Sequence, residues 1–205
     1  MINALCLAVT VFSAPSVGAA DFFPLIPGTK WTYQEVSDFM PGSYIDEVKE
    51  PIEIGGQKCY PVETSLDKKL LETVYYNEVG DTIFIVAYDP KKPLEAPRPL
   101  FKAGTSKLKW DYAGLTPFMG SPIPIRVKGE SVSKGIRKVL DRDVECIEVR
   151  LEAQLGTDKE KFLISKQTAI YAKGIGLVEM QEKATVARNT EERKLRLVEF
   201  TPGRQ

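Results

Sequence analysis

Histidine is absent from the 205 residues. Without an imidazole, Ser-His-Asp and Cys-His nucleophile systems are excluded, as are the His-Glu-x-x-His zinc helix and nearly every catalytic zinc arrangement. Cysteine is scarce, three in all, and no Cys-x-x-Cys pair offers redox chemistry. Excess charge of one sign is also lacking: 28 basic side chains balance 28 acidic ones, with no long block of either. That removes the electrostatic footprint of a nucleic-acid binder and of a protein held to anionic lipid by a basic patch. The stretch "GIGLVE" lacks the third glycine of a dinucleotide loop and sits in a strand-like context, so no phosphate cradle is read there. No cofactor and no metal site is expected.

The first twenty residues, "MINALCLAVTVFSAPSVGAA", carry no charged side chain. An apolar run from Ala4 to Phe12 is too short to span a bilayer. It is followed by a Pro-containing polar stretch that ends in small residues. Val17-x-Ala19 and Gly18-x-Ala20 both satisfy the small-residue rule for signal cleavage. Residues 1–20 therefore read as an export leader with cleavage before Asp21, and 21–205 as a single domain, periplasmic or secreted, with no stable transmembrane span. Cys6 is a poor lipoprotein cysteine because Leu5 precedes it. Loss of the leader leaves Cys59 and Cys146. In an oxidising compartment these could close one disulfide, worth about 4–5 kcal/mol by chain entropy for so long a loop, or remain as two unpaired structural thiols.

Helical periodicity is scarce after residue 20. Short β-rich runs bounded by Gly, Pro, Asn and Asp recur instead. Strands are predicted near 30–37, 45–54, 58–64, 73–78, 82–88, 108–112, 125–132, 138–141, 144–153, 159–165, 169–172, 177–186 and 193–200. Hairpin chemistry marks Gly55-Gly56, Gly80-Asp81, Gly156-Thr157 and Asn189-Thr190. The one plausible helix is a turn or two at 65–71. The fold class is all-β: a strongly curved antiparallel sheet, as a half-barrel or open barrel, with at most one or two short helices.

Face patterns refine this. In "VECIEVRLEA", Ile147, Val149 and Leu151 share a dry side opposite Glu148, Arg150 and Glu152. "TIFIVAY" is apolar on both sides and should lie centrally, covered twice. Cys59 and Cys146 alternate with polar neighbours, which places both thiols on wetter faces. Between 89 and 124 the chain is Pro-rich, as befits connecting or edge segments, because proline cannot donate to a ladder. Within it, Leu115, Phe118, Met119 and Ile123 stand among turn formers, as a plug over the core or as a ligand-facing rim.

One phrase occurs twice. "FPLIPGTKWTYQ" and "PLFKAGTSKLKWDY" each carry Pro-Leu, then Gly-Thr, then Trp-x-Tyr, and hold the only two tryptophans. Strand alternation points Trp31 and Tyr33 the same way, and likewise Trp110 and Tyr112. The rings either nail two strand entries to a core or line a groove for an apolar ligand. With Leu115, Phe118 and Met119 they form the candidate ligand-binding set. No catalytic residue is assigned.

"DFFPLIPGTKWTYQ", "PLFKAGTSKLKWDY" and "YAKGIGLVEMQ", in that order, resemble a family of bacterial exported proteins of unknown function. Its members open with Phe-Pro-Leu-x-x-Gly-x-x-Trp-x-Tyr and close with Gly-Val-Gly-Leu-Val. This chain departs in having Ile175 for Val and extra residues before Trp110. The resemblance implies a curved sheet or half-barrel, loosely similar to periplasmic lipoprotein carriers, and brings no catalytic residues.

Two weaker signals complete the reading. Ser131-x-x-Lys134 matches a penicillin-recognising nucleophile signature, but its companion motifs are missing and its context is a strand. Asp141, Asp143 and Glu145 alternate without the glycine or spacing of a calcium loop. The expectation is an exported, non-enzymatic envelope protein that binds or carries a lipid or other apolar ligand, or an envelope partner. The alternatives are a carboxylate-based hydrolase of envelope polysaccharide and a structural subunit of an envelope complex.

Overall fold

The computed structural model describes residues 18–37, 42–104, 106–118, 120–157, 161–186 and 189–204. Residues 1–17 of the expected leader, Met119 and the start of the strand foreseen at 159 lie outside them. After a 3-10 turn at Ala19–Asp21 come β1 (Lys30–Ser37), β2 (Gly42–Val48), β3 (Ile52–Ile54), β4 (Gln57–Leu66), β5 (Lys69–Val79), β6 (Thr82–Ala87) and β7 (Pro93–Lys102). Then follow β8 (Leu108–Phe118), β9 (Ser121–Val139), β10 (Arg142–Gly156), β11 (Lys161–Ala172), β12 (Gly176–Val186) and β13 (Asn189–Thr201). Twelve of them form one antiparallel sheet in the order β7-β6-β5-β4-β2-β1-β13-β12-β11-β10-β9-β8, while β3 pairs only with β4. The sheet is all but closed into a barrel, with one seam between β7 and β8.

The curl has local causes. Register shifts interrupt the ladders at Thr32/Tyr33, Thr64/Ser65, Tyr75/Tyr76, Cys146/Ile147 and Ile170/Tyr171. An extra residue on one strand bends it and raises its twist. The seam stays open for a local reason as well: β7 holds Pro93, Pro97 and Pro99, three positions without a donor. Side chains bridge it instead. Tyr112 donates to the Ala96 carbonyl at 3.1 Å and Ser131 to that of Lys102 at 2.6 Å.

One end of the barrel is plugged. Phe22, Phe23 and Leu25 are buried against Trp31, Ile83, Phe101, Ile147, Val149, Tyr171 and Met180. Phe23 is the hub, stacked on Trp31 with centroids 5.7 Å apart and edge-on to Tyr76, Phe101 and Tyr171. The dry row Ile147, Val149 and Leu151 does face this core.

Several sequence expectations are corrected. The segment at 65–71 is no helix but the β4–β5 hairpin, turned at Asp67 and Lys68 with φ of 50° and 66°. Two consecutive positive φ values make a type I′ turn, whose twist suits flanking strands. The run at 45–54 divides into β2 and β3. The Pro-rich region is mostly strand rather than connection, and its strands β7 and β8 are, as expected of an edge, the two ends of the sheet. Leu115, Phe118 and Ile123 do not plug the core; they sit on the β8–β9 hairpin. "TIFIVA" is buried on both faces as foreseen, yet β6 lies beside the edge, not at the centre. Its outer face is covered because β3 folds back, bringing Ile54 and Cys59 onto Val86 and Ala87. Neither thiol is on a wet face: both are fully buried. Cys146 is covered where the β9–β10 hairpin curls over the sheet, its Arg137 reaching Glu179 of β12 at 3.9 Å.

Candidate functional site

The two copies of the repeated phrase do different work. Trp31, 1% exposed, donates its indole N–H to the Ile175 carbonyl, and Tyr33 donates to that of Leu177 at 3.1 Å. The opening motif is thus received by the closing "GIGLV" motif. Gly176, at φ +110°, leaves room for the ring, since a Cβ there would come within 2.8 Å of Trp31 Nε1. Burial pushes the Tyr33 hydroxyl well above its usual range, with the Asp46 carboxylate adding to the effect. Such a phenol stays neutral and donates.

Trp110 instead covers its cross-strand partner Gly129, where an added Cβ would lie 2.1 Å from the indole. Its N–H is buried without a hydrogen-bond partner. Tyr112 is half-buried and spends its hydroxyl on the seam. Trp31, Tyr33 and Trp110 therefore all belong to the one buried core, Trp110 at its β8 margin beside the seam, while Tyr112 stays half-buried at the seam itself.

Register assigns the rest of the lumen. Ser37, Arg193, Glu182, Gln167, Leu151, Gly129 and Trp110 are successive cross-strand partners, so they share one face as a belt across the seven strands from β1 to β8. At its polar end Arg193 pairs with the buried Glu35 at 2.8 Å and lies 5.8 Å from the Tyr44 ring centre. Ser165 donates to Glu182 at 2.6 Å. Glu35, Ser37, Glu182, Ala184, Glu191 and Arg193 help line a cleft of about 120 Å³. Nearby, Thr64 donates to Asp46 at 2.7 Å, while burial holds that carboxyl up at about 6. These polar residues were missed from the sequence, although alternation carried the signal: Glu35 follows Trp31 and Tyr33 at the same two-residue step.

Leu115 and Phe118 remain 40% and 38% exposed. They sit on a ribbon, 113–125, that has no charged side chain except Arg126 just beyond its base. The β9–β10 ladder stops at Ile125/Leu155, so the ribbon's far part is held by β8–β9 pairing alone.

The remaining candidates have structural partners. Ser131 is buried and bonded to Lys102, and Lys134 pairs with Glu148 at 3.0 Å. Among the described residues no group of three or more Asp, Glu or Cys is placed to hold a metal ion. Cys59 and Cys146 are free thiols in separate apolar clusters. Each points its sulfur at a carbonyl two residues back, Gln57 and Val144, at 3.6 Å. Burial raises both thiol pKa values. Among the described residues, no helix is long and apolar enough to cross a membrane.

No family model matches the chain, and no curated protein matches it in sequence. Among solved structures, it is similar to a Bacteroides fragilis protein described as exported and of YmcC-like fold, with TM-score 0.45 and 11% identity over 86% of this chain and 96% of that one. A Parabacteroides distasonis protein described as a lipoprotein gives TM-score 0.42 and 10% identity over 86% and 98%. The hypothetical lipoprotein YmcC of Escherichia coli gives 0.39 and 10% over 90% and 91%.

Proposed function

We propose that this chain is an exported, non-enzymatic binding module of the cell envelope that engages an envelope partner through the β8–β9 ribbon. The observation that carries the reading is the exposure of Leu115 and Phe118 on an uncharged ribbon reaching beyond the β10 ladder. Singly exposed apolar residues are common on protein surfaces; what sets these two apart is that their ribbon is uncharged and projects past the β10 ladder as a sheet edge, the kind of strand pair a partner can cover. A lipid inside the barrel is less well supported. The plugged end is filled by Phe22, Phe23, Phe101 and Tyr171, and the belt above it carries Arg193, Glu182 and Gln167. An apolar guest there would leave polar groups without water or partners. The compartment rests on the leader-like residues 1–20.

The test is native mass spectrometry of protein gently extracted from the envelope fraction, wild type beside L115S/F118S. A defined protein partner that is present with wild type and lost from the folded variant supports the module. A co-purifying lipid kept by both returns the argument to a carrier.

A specific observation keeps the hydrolase as a second reading. Asp46, held at about 6, shares the lumen with the ion-paired Glu35, and carboxyls in contrasting environments are what acid–base work on glycans requires. Release of glycan fragments by wild type, abolished in the folded variant D46N, would establish it.

A further inference from the structure

We infer that the export leader is removed upstream of Ala19, so that Ala19 and Ala20 belong to the mature domain and cleavage does not fall before Asp21. The inference rests on the reading of residues 1–20 as a leader and revises where that leader ends.

Residues 18–23 are built into the plugged end. Ala19 is 0% exposed and belongs to the main core. Its carbonyl accepts two backbone N–H groups, from Phe22 at 3.0 Å and Phe23 at 3.1 Å. Both donors belong to buried residues, and Phe23 is the hub of the aromatic cluster. Hydrolysis after Ala19 or Ala20 would put the Ala19 carbonyl on a separate peptide, which diffuses away. Buried N–H groups are then unpaired, a condition native folds avoid.

Flanking contacts anchor the same segment. The Ala20 N–H donates to Glu78 at 3.2 Å, beside the β5–β6 turn. The Gly174 N–H donates to the Asp21 carbonyl at 2.6 Å, fixing the segment to the β11–β12 turn that also receives Trp31. The Asp21 carboxylate turns back toward the Gly18 N–H at 3.4 Å and lies 3.9 Å from Lys173. This is a docked N-terminal strap, with partners on two hairpins.

The small-residue rule leaves two cuts that keep Ala19. Ala14-x-Ser16 permits cleavage before Val17 and preserves every contact above, whereas Ser16-x-Gly18 permits cleavage before Ala19, keeping both bonds to the Ala19 carbonyl and giving up the Gly18 contacts with Asp21. In either case water adds across one peptide bond, giving a carboxylate on the leader and an amine on the mature chain. No other reactant is needed.

The experiment is export of the full chain in a bacterial host, followed by intact mass and N-terminal sequencing of the folded product. A product starting at Val17 or Ala19 is expected. A start at Ala20 or Asp21 overturns the inference while leaving the leader reading intact, whereas a product retaining Met1 overturns both. A second readout uses A19L. If Ala19 is retained in its closed site, the exported variant should melt roughly 5 °C or more below wild type. An unchanged melting temperature overturns the inference.

Discussion

Trp31→Ala tests the claim that the opening and closing motifs form one joint. The indole is buried, stacked on Phe23, tilted 6.5 Å from Phe200 and bonded to the Ile175 carbonyl. Removing a buried aromatic costs about 3–5 kcal/mol through lost transfer energy and the cavity left behind. Within that figure, an unpaired Ile175 carbonyl accounts for about 1–3 kcal/mol, so Trp31→Phe, which loses the donor and part of the ring volume, should cost at least that much. Gly176→Ala attacks the joint from the other side. Its φ of +110° strains any side chain, costing about 1–3 kcal/mol, and its new methyl meets the indole. In the double variant the methyl enters the space the indole vacated, so only the backbone strain remains. Urea denaturation of the four proteins should therefore give a coupling energy of about 1 kcal/mol or more. Strict additivity, or a Trp31→Ala loss under about 0.5 kcal/mol, would refute the joint.

Three further expectations follow from other residues. The carboxyl of Asp46 is raised from 3.8 to about 6, so the folded state binds its proton more tightly than the unfolded chain. Stability should fall as pH rises from about 4 to 6, by at most about 3 kcal/mol. D46N, which still accepts from Thr64, should be the more stable protein at pH 8, with the gap closing near pH 4. Parallel melting curves across that range would contradict this. Gly129→Ala should displace the Trp110 indole and blue- or red-shift the fluorescence of W31F, in which Trp110 is the sole emitter; an unshifted spectrum would remove the proposed stacking. The leaderless chain should yield two reactive thiols in denaturant without reductant and essentially none when native. Finding none in denaturant would mean that Cys59 and Cys146 are joined.

Much of the architecture was legible in residue order. Two-residue alternation in "VECIEVRLEA" and turn residues such as Gly55-Gly56 are local signals, and the corresponding strands and turn are where those signals placed them. The β4–β5 hairpin was not legible, because its type I′ turn uses Asp67 and Lys68 where a glycine would have advertised it. The thiols were misplaced for a different reason. Alternation tells which residues share a face but not whether a later segment covers it. Only the return of β3 buries Cys59, and only the curl of the β9–β10 hairpin buries Cys146. The candidate site divides in the same way. Trp31, Tyr33, Trp110 and Tyr112 stood out by composition, whereas the belt from Ser37 through Arg193 and Glu182 to Trp110 is assembled from five hairpin registers and the pairing of the first strand with the last.

Residue order alone set chemistry and class: no imidazole, balanced charge, a leader-like start, and short alternating strands joined by tight turns, which pair as an antiparallel sheet. Only the curled sheet settled which faces are dry and how each buried tryptophan is held, Trp31 against the closing motif and Trp110 over Gly129. The physical reason is range. Propensity and alternation act over two to ten residues, while burial here is set by contacts such as Trp31 with Ile175 and Ala19 with the core, which exist only once the sheet has curled.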